Sequence, residues 1–351
     1  MRLKRRNVLF GLIGLSLPLI ASSCNGNAPE ATSESTTAAS SKGSGQVPEK
    51  IRIAYQVIPN AELLAKALGL TKQAFPNAEV NYISFDSGRD VNTAMAANGI
   101  DLGLIGSVGV SVGIAQNLPY DVYFIHDLIG EAEALVVKGD IKAIADIRGK
   151  KIAVPFGSTT HFSLLSLLQL EGIAPGELTV LDLQPQEMVA AWQRGDIDGG
   201  YVWQPNLGKL QKDGGTILVT SADLAKRGVV TADVGVVRQE FMEKYPDTVK
   251  QYVAMLDQAV KSYREDPQAA AKVIAPELGL TPEESLSVMK QLIWLDASEQ
   301  ADSKYLGTPD KPGTFAKVLK DSADFMVTQK AIGSAPELET YQKRIRDEFL
   351  S

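Results

Sequence analysis

The stretch that decides the fold is I-A-V-P-F-G-S-T-T-H at 152–161, together with W-Q-R-G-D-I-D-G-G-Y-V-W-Q-P at 192–205. The first segment begins with apolar residues typical of a buried strand, then passes through Gly157 into three hydroxyl residues and the apolar run 162–170. This order predicts a strand, a glycine turn and a helix. The second segment predicts the end of a helix followed by a strand that closes at Trp203.

Ser158, Thr159 and Thr160 stand at the predicted start of that helix. Hydroxyl groups there lie beside unpaired backbone N–H groups and the positive end of the helix dipole, which favours an anion with several oxygens. A plain helix cap, in which Ser158 or Thr159 serves only the helix's own amides, is the commoner use of such residues. The sequence leaves both interpretations open.

Strand and helix patterns alternate regularly between residues 51 and 203, which is typical of mostly parallel α/β sheets covered on both faces. Ligands bind such sheets beyond the carboxyl ends of the strands. After Val237 the patterns predict helices at 247–263, 268–274, 282–292, 314–326 and 336–349. Polar or aromatic residues stand at five predicted strand ends, and they are Tyr55 and Gln56, Ser87, Ser107, Ser158 to His161, and Trp203.

Two apolar runs, 134–137 and 234–237, flank the middle third of the chain and predict paired crossings between two lobes. Roughly 300 residues is also long for a single core. We expect residues 50–132 and 238–351 to form lobe 1 and residues 133–237 to form lobe 2. The ligand cleft then lies between the lobes.

The chain begins with basic residues, an apolar run over 8–21 and small residues, which predicts a secretory signal over 1–23. The apolar run is short for a membrane span. Cys24, the only cysteine, directly follows I-A-S-S and resembles the lipidated cysteine of bacterial lipoproteins, although an ordinary signal with a stray cysteine is the alternative. Residues 24–49 are rich in Ser, Thr, Ala and Gly and predict a flexible tether.

The net charge and the cysteine content limit the partners and the covalent cross-links of this chain. Removing residues 1–23 removes four positive charges and no negative ones, so the formal net charge goes from −7 to −11. An acidic chain of this kind argues against nucleic acid as a partner. A single cysteine excludes an intramolecular disulfide.

Several motifs together resemble the taurine-binding proteins of bacterial ABC importers. They are F-D-S-G at 85–88, I-G-S at 105–107, E-A-L-V-V-K at 133–138, I-A-V-P-F-G-S-T-T-H at 152–161, L-Q-P at 183–185, A-A-W-Q-R-G-D-I-D-G at 190–199 and Y-V-W-Q-P at 201–205. The resemblance implies the type II periplasmic-binding-protein fold, with two α/β lobes, two inter-lobe crossings and the ligand between them. It departs at Gly235, where relatives carry tryptophan, and we expect a larger pocket there.

The chemistry of taurine fits this pattern of residues. Its sulfonate accepts hydrogen bonds and never donates, so its site needs donors, for which the candidates are Gln56, Ser87, Ser107, Ser158, Thr159 and Thr160. Its ammonium needs a carboxylate or an aromatic face, for which the candidates are Glu133, Asp233, Tyr55 and Trp203. The resemblance gives the amine-binding role to the acid that Asp233 matches. His161 is interpreted as a hydrogen-bonded structural histidine beside the site.

The sequence therefore predicts an exported, lipid-anchored, monomeric solute-binding protein in the periplasm or on the outer face of the cytoplasmic membrane. It delivers taurine or a related short sulfonate to an ABC permease, without catalysis, cofactor or metal. A longer alkanesulfonate, nitrate or a thiamine pyrimidine precursor is the alternative ligand. A secreted hydrolase is the alternative class, but Ser158 lacks the G-x-S-x-G pattern and the chain has only His126 and His161.

Overall fold

The computed structural model describes residues 47–351, so the predicted signal, Cys24 and most of the tether lie outside the described residues. Strands and helices alternate through the first part of this range. They are β1 (Lys50–Tyr55), α1 (Ala61–Ala67), α2 (Leu70–Ala74), β2 (Glu79–Ser84), α3 (Gly88–Ala96), β3 (Leu102–Gly106), α4 (Ser107–Ala115), β4 (Tyr120–Ile129), β5 (Glu133–Val137), β6 (Lys151–Val154), α5 (Thr159–Leu170), β7 (Thr179–Asp182), α6 (Pro185–Arg194), β8 (Gly199–Trp203), α7 (Asn206–Lys212), β9 (Thr216–Thr220), α8 (Ser221–Ala225) and β10 (Ala232–Arg238).

The rest of the chain is mostly helical. Its elements are α9 (Gln239–Lys244), α10 (Pro246–Glu265), α11 (Pro267–Leu278), α12 (Pro282–Met289), β11 (Leu292–Trp294), α13 (Ala297–Gln300), β12 (Gly307–Thr308), β13 (Lys311–Pro312), α14 (Phe315–Thr328) and α15 (Leu338–Gln342). Within residues 47–351, no helix has both the length and the apolar character that a membrane crossing requires.

The strands form two main sheets. The six-stranded sheet has the order β11-β4-β10-β3-β1-β2, parallel where β1 meets β2 and β3 and antiparallel around β10 and β4. The five-stranded sheet has the order β7-β6-β8-β5-β9, parallel around β6 and antiparallel around β5. We call the part built on the first sheet, residues 47–129 and 232–351, the large lobe. Residues 133–225 are the small lobe.

The two apolar runs predicted as crossings are buried strands. Residues 134–137 lie in β5 of the small sheet, and residues 234–237 lie in β10, which pairs with β3 and β4 of the large sheet. The small lobe therefore ends before Ala232 rather than at 237. Apolar character marks burial inside a sheet, whereas the connections between the sheets run through the short irregular segments 130–132 and 226–231.

Helices cover both faces of each main sheet. Along β1 the buried side chains alternate, so Ile51 and Ile53 pack with α1 and α10 while Ala54 packs with α3 and α14. In the small lobe, α5 and α8 cover one face and α6 and α7 cover the other. The sheets are thus fixed on both sides, and the polar residues at their strand ends have a rigid support.

A small apolar cluster joins the lobes beside the sheets. We call it the bridging cluster, and it consists of Val108 from α4, Phe162 and Leu165 from α5, and Met326 from α14. The ring of Phe162 packs edge-on against Phe325, with 5.1 Å between the ring centroids. Helix α14 of the large lobe therefore contacts the small lobe directly.

The C-terminal region departs from the predicted helices. The predicted helix at 336–349 is interrupted after α15, because the chain there pairs with β4, and a short 3-10 helix follows at Asp347–Leu350. There the Val122 N–H donates to the Arg344 carbonyl over 2.8 Å, and the Arg346 N–H donates to the Val122 carbonyl over 2.8 Å. The predicted helix at 282–292 ends at Met289, because Leu292 begins β11 at the edge of the large sheet.

Candidate ligand-binding site

A cavity lies between the two lobes, with about 40 Å³ of space for the centres of water-sized molecules. It is lined by the residues that follow β1, β2, β3, β6 and β8 and by the first residues of β5 and β10. The polar residues among them are Gln56, Ser87, Arg89, Glu133, Ser158, Thr159, Trp203, Gln204 and Asp233. This position, beyond the carboxyl ends of parallel strands, is where α/β sheets bind ligands.

Ser87 precedes α3 and lines the cavity. The residue is 1% exposed, and its Oγ makes no hydrogen bond of standard geometry in the described part of the chain, although it interacts with the Asp90 carboxyl group and so opposes the effect of burial on the pKa of Asp90. The backbone N–H groups of Gly88 and Arg89 belong to the first turn of α3, where no intrahelical acceptor exists. The helix dipole adds partial positive charge at the same place. The start of α3 therefore offers donors to the oxygens of an anion.

The hydroxyl triplet at α5 is engaged differently. Ser158 Oγ donates to the Pro155 carbonyl over 2.6 Å and accepts from the His161 N–H over 3.2 Å, and it lies 2.7 Å from Thr160 Oγ1. Thr159 Oγ1 donates to a carboxylate oxygen of Glu133 over 2.5 Å. Ser158 is thus a helix cap with its hydroxyl satisfied, and the side chains of the triplet offer little to an anion.

Glu133 supplies a buried carboxyl group at the cavity wall. Besides Thr159, it accepts from Ser221 Oγ over 2.8 Å and from Ser163 Oγ over 3.4 Å. Burial raises the pKa of Glu133 to about 7, against these hydrogen bonds, which favour the charged form. The carboxyl group can therefore be charged or neutral near neutral pH.

Asp233 is the second carboxyl group of the wall, at the start of β10. Burial, and then repulsion from Glu133, raise the pKa of Asp233 to about 7. Asp127 stands opposite Asp233 in the pairing of β4 with β10 and is fully buried. Burial, followed by repulsion from Asp233 and Glu133, holds the pKa of Asp127 well above its usual range. In the described chain these acids do not form a group able to hold a metal ion.

Gly106 brings the donor side and the acid side together. A Cβ built on Gly88, the first residue of α3, would lie 3.6 Å from the Gly106 nitrogen. A Cβ built on Gly106 would lie 2.8 Å from Thr159 Cγ2 and 3.7 Å from Asp233 Oδ1. The absence of a side chain at Gly106 therefore lets the lobes meet with α3 and Asp233 as close neighbours.

Gln56 and Trp203 also line the cavity, as their positions after β1 and at the end of β8 predict. Gln56 donates through Nε2 to the Leu104 carbonyl over 3.1 Å, which fixes its amide against β3. Trp203 stands opposite Glu133 in the pairing of β5 with β8 and is partly exposed. The cavity thus has an aromatic wall beside its acids.

Four predicted site residues do not line this cavity. Tyr55 packs its ring 5.9 Å from the ring of Tyr82, and Ser107 Oγ accepts from the Ala232 N–H over 3.2 Å. Thr160 is fully buried within α5. His161 stacks on Phe156 at 4.5 Å and accepts the Gly157 N–H at Nδ1 over 3.3 Å, while burial lowers its pKa to about 4.

Arg89 and Gln204 line the cavity and were not among the predicted residues. Arg89 crosses to the small lobe and pairs with Asp182 at 2.7 Å. Gln204 reaches Gln291 of the large lobe over 3.3 Å, and Gln184 reaches Asp90 over 3.4 Å. These bonds hold the lobes together across the mouth. The sequence position of Arg89, directly after the F-D-S-G motif at 85–88, could have indicated that it lines the cavity.

The expected enlargement of the pocket at Gly235 is wrong. A Cβ on Gly235 would lie 2.6 Å from Cζ of Tyr123, whose ring belongs to the core of the large lobe. The space beside Gly235 is therefore filled by Tyr123, and Gly235 itself does not line the cavity.

The two lobes and the cavity between them define a periplasmic-binding-protein fold of the solute-binding class. The profile of the NMT1-like family matches residues 46–276. The taurine-binding periplasmic protein of Escherichia coli (strain K12) is 34% identical over 307 residues, which cover 86% of this chain and 92% of that protein. The chain belongs to the NMT1-like family and, within it, to the taurine and alkanesulfonate solute-binding proteins of bacterial ABC importers.

Solved structures show the same fold. The alkanesulfonate-binding protein SsuA from Xanthomonas axonopodis pv. citri, bound to MOPS, superposes with a TM-score of 0.69 at 24% identity and covers 84% of this chain and 96% of its own. The desulfurization enzyme DSZB superposes with a TM-score of 0.59 at 16% identity, covering 86% and 97%. The fold therefore serves both binding proteins and enzymes, and function depends on the residues of the site.

Proposed function

We propose that this protein captures taurine or a related short sulfonate in the inter-lobe cavity and delivers it to the permease of an ABC importer. The observation that carries the proposal is the polarity of the cavity. The Ser87 hydroxyl and the α3 amides offer donors on one side, and Glu133 and Asp233 offer carboxylates on the other. A sulfonate joined by two carbons to an ammonium has the matching polarity.

The sulfonate belongs at the start of α3 in this proposal. It stays ionised and accepts hydrogen bonds only, so the Ser87 hydroxyl and the amides of Gly88 and Arg89 suit it. The ammonium belongs beside Asp233 and Glu133, with Trp203 as an aromatic neighbour. Contact between Gly106 and Thr159 supports a closed state in which both ends of the ligand are held at once.

The same polarity disfavours the alternative ligands. Nitrate has no cationic group to pair with the two acids, and an alkanesulfonate without an amine would place only methylene groups beside them. The hypothesis of a hydrolase also lacks support. A serine nucleophile would donate its hydroxyl hydrogen to a histidine, whereas Ser158 Oγ donates to the Pro155 carbonyl and not to His161. We therefore propose a binding protein rather than an enzyme.

A ligand panel tests this function. Thermal unfolding of the protein is followed with taurine, ethanesulfonate, longer alkanesulfonates, nitrate and an aminopyrimidine. Taurine at about a hundred times its dissociation constant should raise the free energy of unfolding by ~2.7 kcal/mol. Stabilisation by nitrate or the pyrimidine, with none by any sulfonate, would reject the proposal.

We further propose export and lipid attachment at Cys24, which is supported by the basic and apolar segments before it. The tether would then hold a monomeric binding domain near its permease. Replacing Cys24 with Ser should release the protein from the membrane fraction and leave ligand affinity unchanged. Retention of the Ser variant in salt-washed membranes would show that this thiol is not the anchor.

A further inference from the structure

Asp127 is a buried acid that the proposed binding scheme does not use. Its cross-strand partner in the ladder of β4 with β10 is Asp233, and paired residues in an antiparallel ladder project to the same face. Asp127 is 0% exposed, and neither of its carboxyl oxygens has a hydrogen-bond partner in the described residues. It therefore stands directly behind the cavity's acid wall.

Among the described residues, the charged groups that act on Asp127 are acids. β10 contributes Asp233, β5 contributes Glu133, and β11 contributes the uncharged Trp294 as its paired neighbour. On β4 itself, burial lowers the pKa of His126 to about 3, so that ring is neutral. The cation that lines the cavity, Arg89, is paired with Asp182. A buried carboxylate without a cation or donors takes up a proton.

The buried carboxyl group of Asp127 lowers the stability of the fold. A buried polar group without a partner costs free energy, and groups of this kind concentrate at functional sites. Glu133, by contrast, accepts from three hydroxyl groups, which favour its anion and partly offset the effect of burial. Asp127 and Asp233 are left as cross-strand neighbours whose negative charges repel each other, so one proton on the pair relieves that repulsion.

We propose that Asp127 is a specificity-determining residue of the amine subsite, which shares a proton with Asp233 in the empty cavity and loses that proton when an ammonium group is seated. This inference rests on the proposed function. Taurine is a zwitterion whose ammonium is already protonated when it binds, so no bond of the ligand changes and the proton of the acid pair passes to solvent. The acid pair thus carries one negative charge when the cavity is empty and two only when an ammonium group is seated beside it.

The sign of the pH dependence follows. Taurine binding should strengthen as pH rises through neutrality, by about tenfold per pH unit where one proton is released per ligand. Ethanesulfonate should show the opposite trend, because rising pH charges the acids and no ammonium offsets their repulsion of the sulfonate. The two ligands share the sulfonate, so the difference between their slopes reports the amine subsite.

Titration calorimetry in two buffers of different ionisation enthalpy measures the protons released per ligand. Wild type, Asp127→Asn and the surface control Asp321→Asn are titrated with taurine and ethanesulfonate between pH 6 and 8. We expect wild type and Asp321→Asn to release protons with taurine. Asp127→Asn should release fewer, because its amide can donate to Asp233 and keep that carboxylate charged without a proton.

Equal proton release in wild type and Asp127→Asn would overturn the inference, as would taurine binding to wild type without proton release. The second measurement needs no variant and stands if Asp127→Asn does not fold. Absence of binding by either sulfonate to wild type would instead reject the proposed function. The two failures are therefore distinguishable.

Discussion

Two helices begin at the cavity with a serine, and they use it in opposite ways. Ser87 before α3 makes no hydrogen bond of standard geometry in the described chain, whereas Ser158 before α5 caps its own helix and bonds to Pro155. The next residue after Ser158, Thr159, is bonded to the acid Glu133. The start of α3 is therefore open to an anion, and the start of α5 faces the side that suits a cation.

The number of hydroxyl groups at a helix start does not decide whether it can bind a ligand. Three consecutive hydroxyl groups at α5 are the stronger sequence pattern, yet their hydrogen bonds are consumed within the protein. A single serine at α3 is the weaker pattern, and its hydroxyl makes no hydrogen bond of standard geometry within the described protein. What decides is the number of partners that the surrounding fold supplies.

The largest expected effect is on the acid side. Asp233→Asn keeps the shape and removes the charge, so taurine affinity should fall by about 2–5 kcal/mol, or roughly 30- to several-thousand-fold. Ethanesulfonate should bind as before or more tightly, because a like charge has gone. Calorimetric titration of both ligands measures the two effects. Equal losses for both would show that Asp233 supports the closed structure and does not distinguish the amine.

The acid side of the cavity should also make the free energy of unfolding depend on pH. Burial raises the pKa of Glu133 from 4.5 to about 7, so the folded protein binds a proton in that window and the unfolded chain does not. The free energy of unfolding of the ligand-free protein should therefore fall as pH rises from ~5 to 7, by about 1.4 kcal/mol per pH unit for each such group. Urea unfolding measures this slope.

Glu133→Gln should make that slope shallower, because it removes one titrating group. The surface variant Glu339→Gln is the matched control, since Glu339 is exposed and pairs with Lys343. An unchanged slope in Glu133→Gln would contradict the assignment of a raised pKa to Glu133.

Ser87→Ala tests the open helix start. Both taurine and ethanesulfonate should lose about 1–3 kcal/mol of binding free energy, since both present a sulfonate to the same hydroxyl. The melting temperature should change little, because this hydroxyl makes no hydrogen bond of standard geometry within the described protein. Normal affinity of Ser87→Ala for both ligands would show that the sulfonate does not bind at the start of α3.

Ser158→Ala gives the smallest effect on binding. Loss of a helix cap should lower the free energy of unfolding by about 0.5–2 kcal/mol, while affinity stays close to wild type. Urea unfolding and titration with taurine are run on the same preparation as Ser87→Ala. A binding loss as large as that of Ser87→Ala would erase the distinction between the two helix starts.

The sequence predicts the lobes well, because alternating apolar patterns directly reflect burial in the two sheets. It misplaces the second boundary, because an apolar run such as 234–237 has the same appearance in a strand as in a crossing. Similarly, the segment after α15 has helical spacing but pairs with β4, a long-range contact that no local pattern encodes.

The site is only partly predictable for similar reasons. Tyr55 and Gln56 are adjacent, and successive residues at a strand end point in different directions, so Gln56 lines the cavity while Tyr55 packs on Tyr82. Arg89 becomes a cavity residue through its bond to Asp182, 93 positions away. Such pairings depend on how the lobes meet. Residue type and spacing alone do not contain them.

The bridging cluster has a mechanical consequence for opening. Phe162 and Leu165 of the small lobe stay buried only while they remain packed on α14, so separation at that edge would expose apolar surface to water. A rotation of the lobes that keeps the bridging cluster packed breaks mainly polar contacts, such as the hydrogen bond from Gln204 to Gln291. Water can replace the partners of those polar groups. We therefore expect the lobes to stay in contact at the bridging cluster and to rotate about it when the cavity opens. Met326, one of the four members of that cluster, lies in α14, beyond residue 276 where the match to the family profile ends.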